Sequence, residues 1–122
     1  MAPMLAFADI WVITDSHHPI QTRPGARVIL LDDTQRLQEK LSDGLPADPQ
    51  QAMAIVKQRM QSKDGQRLQK ELVDAQQGVA DSWSLGITKL PAVVVDRKYV
   101  IYGEPDVDAA ERRIARYRES NQ

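Results

Sequence analysis

The chain contains no cysteine and only two histidines among its 122 residues. Disulfide staples, thiolate metal ligation and dithiol exchange are therefore excluded, because each needs a sulfur nucleophile or ligand. The absence does not set a compartment, since an oxidising environment permits disulfides without requiring them. An excess of charge of one sign is also missing. The 16 basic and 17 acidic residues leave a formal net charge of -1, so no bulk electrostatic attraction to nucleic acid or an anionic membrane surface is expected. No apolar run approaches the roughly 18 residues of a membrane span, so no stable membrane insertion is expected.

What is present fits one domain. At 122 residues and 42% hydrophobic, the chain is long enough for a single modest core. Met1 to Ala8, MAPMLAFA, is apolar and ends in the small-x-small form Ala6-Phe7-Ala8 before the polar Asp9. It reads as the remnant of a signal peptide. The segment lacks a basic start and is shorter than the 15 or so residues a signal needs, so the expectation is a longer leader upstream and a domain over residues 9–122.

Ile10 to Thr14 is a β-branched and aromatic run without polar alternation, as in a strand buried on both faces. The stretch Ser16 to Gly25, with two prolines and a glycine, reads as a loop, and Arg27 to Leu31 as a second buried strand. The period then changes. Leu37 and Leu41 stand four apart behind a cap at Asp33 or Thr34, and Gly44 with Pro46 ends this first helix. Asp48-Pro49 opens a second helix with Met53, Val56 and Met60 on one stripe. Asp64-Gly65 interrupts or kinks the pattern. A long third helix resumes with Leu68, Leu72, Ala75, Val79 and Trp83, and stops at Ser84-Leu85-Gly86. A hairpin follows, Ala92 to Val95 and Tyr99 to Tyr102 around Asp96-Arg97-Lys98. The last helix starts at Pro105, with Val107, Ala110, Ile114 and Tyr117 on its inner face and arginines toward its negative end. Trp11 and Trp83 both read as core residues.

Several segments together carry a resemblance. They are Asp9 to Asp15, His18-Pro19, the Leu31-Asp32-Asp33 after the second strand, and Lys89-Leu90-Pro91 running into Ala92 to Asp96 and Val100 to Gly103. In them the chain resembles a family of small proteins encoded by integrating conjugative elements, similar to the thioredoxin-like pilus assembly protein TrbC of F-type conjugation systems. The resemblance implies a thioredoxin-like α/β fold, with a central mixed sheet of about four strands flanked by helices. The first crossover helix is reduced to a loop, and Asp15 to Ala26 just supplies the dozen residues that a parallel crossover needs. It also implies export to the periplasm and a role in the conjugative, type IV secretion apparatus. No cofactor and no catalytic residue is implied.

In redox members of that fold a cysteine pair follows the first strand and faces a cis-proline. Ser16-His17-His18-Pro19 stand at those positions here, and a serine with two histidines cannot perform dithiol exchange. What survives is backbone near Pro91, expected in cis after Leu90, which is able to pair with an extended segment. The candidate partner-binding surface is therefore Ser16, His17, His18, Pro19, Lys89, Leu90 and Pro91, facing an envelope or pilus-assembly protein. A bland alternative is that Pro91 only fixes a tight turn. The enzyme alternative is a small hydrolase or metal-dependent enzyme using Asp15, Ser16, His17 and His18. Adjacent histidines on an extended loop point apart, no third ligand is evident, and no nucleophile elbow accompanies Ser16, so the non-catalytic reading is preferred.

Overall fold

A computed structural model of the protein describes residues 9–120. The expected signal-peptide remnant at 1–8 lies outside the described residues. Four strands, β1 (Ile10–Thr14), β2 (Arg27–Leu30), β3 (Ala92–Val95) and β4 (Tyr99–Tyr102), form one sheet in the order β2-β1-β3-β4. β1 runs parallel to β2 and antiparallel to β3, which pairs antiparallel with β4. The sheet is mixed and flanked by helices α1 (Asp33–Ser42), α2 (Pro49–Gln61), α3 (Lys63–Ser84) and α4 (Val107–Ser120). No helix lies between β1 and β2, so the reduced crossover expected from the sequence is what forms.

The central strands are the ones with unbroken apolar runs. Every residue of β1 and β3 is buried, because neighbours flank both and a layer covers each face. One face places Ile10, Val12, Val93 and Val95 against Val107, Ala110 and Ile114 of α4. The other gathers Trp11, Ile13, Ile29, Ala92 and Val94, with Leu85, Ile87 and Leu90 from the segment leading into β3. The expectation of a buried β2 is corrected: only Ile29 is buried, since β2 is an edge strand. Its ladder nevertheless continues one residue further, the Leu31 amide donating to the Thr14 carbonyl at 2.9 Å.

The helical layer departs further from the sequence reading. Asp64-Gly65 is no interruption, for α3 begins at Lys63 and Gly65 lies in its first turn. The break is at Ser62. Its hydroxyl donates to the Arg59 carbonyl at 2.6 Å, closing α2, and accepts the Gly65 amide at 3.0 Å, opening α3. A Cβ on Gly65 would overlap that Arg59 carbonyl, so glycine is what lets the two helices meet so tightly. α4 is capped by Asp106, whose carboxylate accepts the Asp108 amide at 3.0 Å, and not opened by Pro105.

α2 buries no residue fully, and Met53, on the stripe expected to face inward, is 68% exposed. The half-buried positions are Ala52, Ile55, Val56 and Arg59. On α3 the expected core residue Trp83 is 81% exposed. Each step of four along a helix drifts by about 40°, so the inward stripe passes from Ala75 to Gly78 and Ser82, which are buried, while Trp83 swings outward. Trp11 is 7% exposed, with the guanidinium carbons of Arg27 and Arg97 lying 4.6 and 4.9 Å from its ring centroid.

Candidate functional site

The register sets the site. With Ile13 opposite Ala92 and Thr14 opposite Leu30, one end of the sheet carries the loop after β1, the turn after β2 and the approach to β3. The antiparallel pairing ends at Ile13 and Ala92, so β1 leaves the sheet at the end where the chain enters β3. Ser16 to Pro19 and Lys89 to Pro91 are thus brought to the same end of the sheet, and the Leu90-Pro91 peptide bond is cis. Ser16, His17, His18, Pro19 and Lys89 are exposed, while Leu90 and Pro91 are half-buried.

The loop after β1 is held by its own polar groups. The buried Thr14 hydroxyl donates to the His18 carbonyl at 2.7 Å, and the His18 amide to the Asp15 carbonyl at 3.2 Å. Asp15 accepts the His17 amide at 3.0 Å and the Nδ1–H of His18 at 2.6 Å. The His18 hydrogen bond, with the His17 amide behind it, holds the Asp15 carboxyl below its ordinary value. Ser16 turns the other way. Its amide lies 3.2 Å from each carboxylate oxygen of Asp32, and its hydroxyl donates to the same group. That hydroxyl is the main cause that holds the Asp32 carboxyl down. Further along, the Gln21 amide donates to the Pro105 carbonyl at 2.6 Å and the Gln21 carbonyl accepts the Val107 amide at 3.0 Å, so the loop is tied to the start of α4.

This wiring separates the two histidines. His18 faces Asp15, whereas His17 lines a shallow cleft of about 250 Å³ with Ser16, Asp32, Gln35, Arg36 and Glu39. The Asp15–His18 pair has the geometry of an oriented imidazole, yet the Ser16 hydroxyl is directed at Asp32 and not at an imidazole, so the side chains do not form a serine–histidine relay. Among the described residues there is no group of three or more histidine, aspartate or glutamate side chains placed to hold a metal ion.

The approach to β3 differs in kind. The Pro91 carbonyl accepts the Gly103 amide at 2.9 Å, but among the described residues no hydrogen bond reaches the backbone of Thr88, Lys89 or Leu90. β1 would be the natural partner of Leu90, and its chain turns away at Asp15. A bent stretch of backbone, Lys89 to Pro91, is left beside the loop, with the donors and acceptors of Thr88 to Leu90 unpaired among the described residues.

Asp32 is the residue that sequence reasoning passed over as part of the site. Its signal is the parallel register: β1 and β2 pair at a constant offset, Trp11 with Arg27 through Thr14 with Leu30, which carries Ser16 onto Asp32. The carboxylate that engages Ser16 is then not available to cap α1, and Asp32 makes no side-chain cap bond there.

The molecule is a small mixed α/β protein whose sheet end combines a self-bonded polar loop with unpaired backbone. A family model described as "Protein of unknown function (DUF1525)" matches residues 7–120, and the chain belongs to that family. No curated protein and no solved structure matches it. Among the described residues no helix is long and apolar enough to cross a membrane.

Proposed function

We propose that this is a thioredoxin-like, non-catalytic interaction or assembly protein of a conjugative secretion apparatus, acting in the periplasm on an envelope or pilus-assembly protein. The partner is bound at the end of the sheet formed by Ser16 to Pro19 and Lys89 to Pro91. The observation that carries the reading is the unpaired backbone of Thr88 to Leu90, which offers hydrogen bonds to an extended segment in the manner of strand addition. The strand order β2-β1-β3-β4 with one parallel and two antiparallel neighbours supports the thioredoxin-like assignment. The assignment to conjugation and to the periplasm rests on the resemblance in the strand segments. Engagement of Ser16 by Asp32 favours a binding loop over a hydrolytic one.

The test is photo-crosslinking in donor cells, with the probe at Lys89 and, as a control, at Lys57 on the exposed side of α2. Capture of one envelope protein from Lys89 and not from Lys57, with conjugation lowered by a bulky substitution at Lys89, is the expected result. Capture of the same proteins from both positions, or none from Lys89 in cells transferring DNA normally, sinks the reading.

A further inference from the structure

We propose that the open side of β2 is a second peptide-docking groove, built to take an extended segment carrying basic side chains as a fifth strand. This edge is separate from the sheet end discussed above, and the inference does not depend on that reading. β2 is the outermost strand of the sheet, so among the described residues one row of its backbone groups has no strand beside it. The Leu31 amide donates toward β1, and by alternation Ile29 and Arg27 do the same, which aims the N–H and C=O of Val28 and Leu30 away from the sheet.

Those groups open into a groove of about 460 Å³ between the edge of β2 and helices α1 and α3. Its apolar lining includes Leu37, Ala75 and Val28, the last 41% exposed. The charges along it are unequal in their engagement. Arg27 pairs with Asp81 at 2.8 Å and Arg36 with Asp33, whereas Glu71 and Asp74, one turn apart on α3, have no ion-pair partner among the described residues. The uncompensated charge in the groove is therefore negative. A strand added here has side chains alternating between the two sides of the sheet. One set covers Val28, and the other turns toward α3, where lysine or arginine meets Glu71 and Asp74. Four residues of β2 match an occupant of about four to five residues in register.

The full chain, isotopically labelled, is titrated with a capped heptapeptide alternating valine and lysine, with its valine–glutamate counterpart, and with a lysine version N-methylated on alternate amides. The lysine peptide is expected to move the Val28 and Leu30 amide resonances and slow their hydrogen exchange. The glutamate peptide should bind at least about fivefold more weakly, and Glu71→Gln with Asp74→Asn should remove that preference. Equal binding of the lysine and glutamate peptides, or equal binding of the N-methylated form, overturns the proposal. So does the absence of any shift at Val28 and Leu30. Concentration-dependent protection of these amides without peptide would assign the edge to a second copy of the chain and overturn it as well.

Discussion

The two faces of the sheet are covered in different ways, and the contrast runs through the whole molecule. α4 lays Val107, Ala110 and Ile114 flat on Ile10, Val12, Val93 and Val95, and all seven are buried. On the other face α3 approaches at β2, where Gly78 sits against Ile29, so closely that an added Cβ would lie 2.9 Å from Ile29 Cγ2. Toward β4 that layer thins. Val100 and Tyr102 share the face of Val94 and Ala92 by their cross-strand pairing, and both are exposed. One face is closed by side chains and the other partly by close backbone approach. Helical residues on the second face consequently carry less of the burial that stabilises the domain, and more of the surface open to partners.

The largest test compares the sheet with the helical layer on that second side, Ile13→Ala against Met53→Ala. Ile13 is fully buried, and removing its side chain leaves a cavity in a tightly packed sheet, at a cost of about 2–5 kcal/mol. Met53 is mostly in solvent, and its truncation should stay within about 0.5 kcal/mol. Urea midpoints at unchanged slope measure both. Similar losses at the two sites would mean that α2 is anchored far better than its exposure indicates.

Gly65→Ala sharpens the same point at the helical junction. Helix propensity alone favours alanine by about 1 kcal/mol. The new Cβ, however, would overlap the Arg59 carbonyl and lie 2.9 Å from Met60 Cα, both backbone atoms with little room to retreat. Overpacking of this kind costs about 1–3 kcal/mol, so a net loss is expected. A stabilised variant would show that α2 and α3 part without cost.

These residues also mark where the sequence was legible. The β1 and β3 runs are apolar at every position because both sides and both faces are covered, so strand, neighbour and burial could all be read from Ile10 to Thr14 and Ala92 to Val95. β2 has the same β-branched character, and nothing in its composition distinguishes an edge from a centre. Trp83 fits a helical stripe within the sequence, yet small residues, Gly78 and Ser82, occupy the inward line where α3 nears β2. Close approach depends on what is missing from a side chain, which hydrophobic periodicity does not record. At the candidate site, Ser16 to Pro19 and Lys89 to Pro91 could be named from turn chemistry and resemblance, whereas Asp32 needed the parallel register.

A smaller effect is expected from acid. The Asp15, Asp32 and Asp81 carboxyls all lie below the ordinary value of 3.8, Asp81 chiefly through its hydrogen bond from Arg27. A carboxyl lower in the folded than in the unfolded chain stabilises the fold above its ordinary value, and that stabilisation is lost as pH falls through the depressed one. Asp32→Asn should therefore lower stability at neutral pH, and its deficit against the parent should shrink below about pH 3.8. All three groups are solvated, so the deficit is modest. A deficit that grows on acidification would contradict the Ser16–Asp32 assignment.

The smallest effect belongs to the pair of tryptophans, both on the α3 side of the sheet, where the difference between the packed interior of that side and its outer surface can be read optically. Trp11 is enclosed by Arg27 and Arg97, with its Nε1–H donating to Asp9 at 3.1 Å, and Trp83 stands in solvent. Trp83→Ala should change stability by no more than about 0.5 kcal/mol, while removing the red-shifted emission that acrylamide quenches readily. What remains is Trp11, blue-shifted and protected. If Trp83 emission instead proves protected in the parent at working concentration, or if its removal destabilises by well over 1 kcal/mol, this helical face is covered in solution. The open face and the closed face would then differ in what covers them and not in how much.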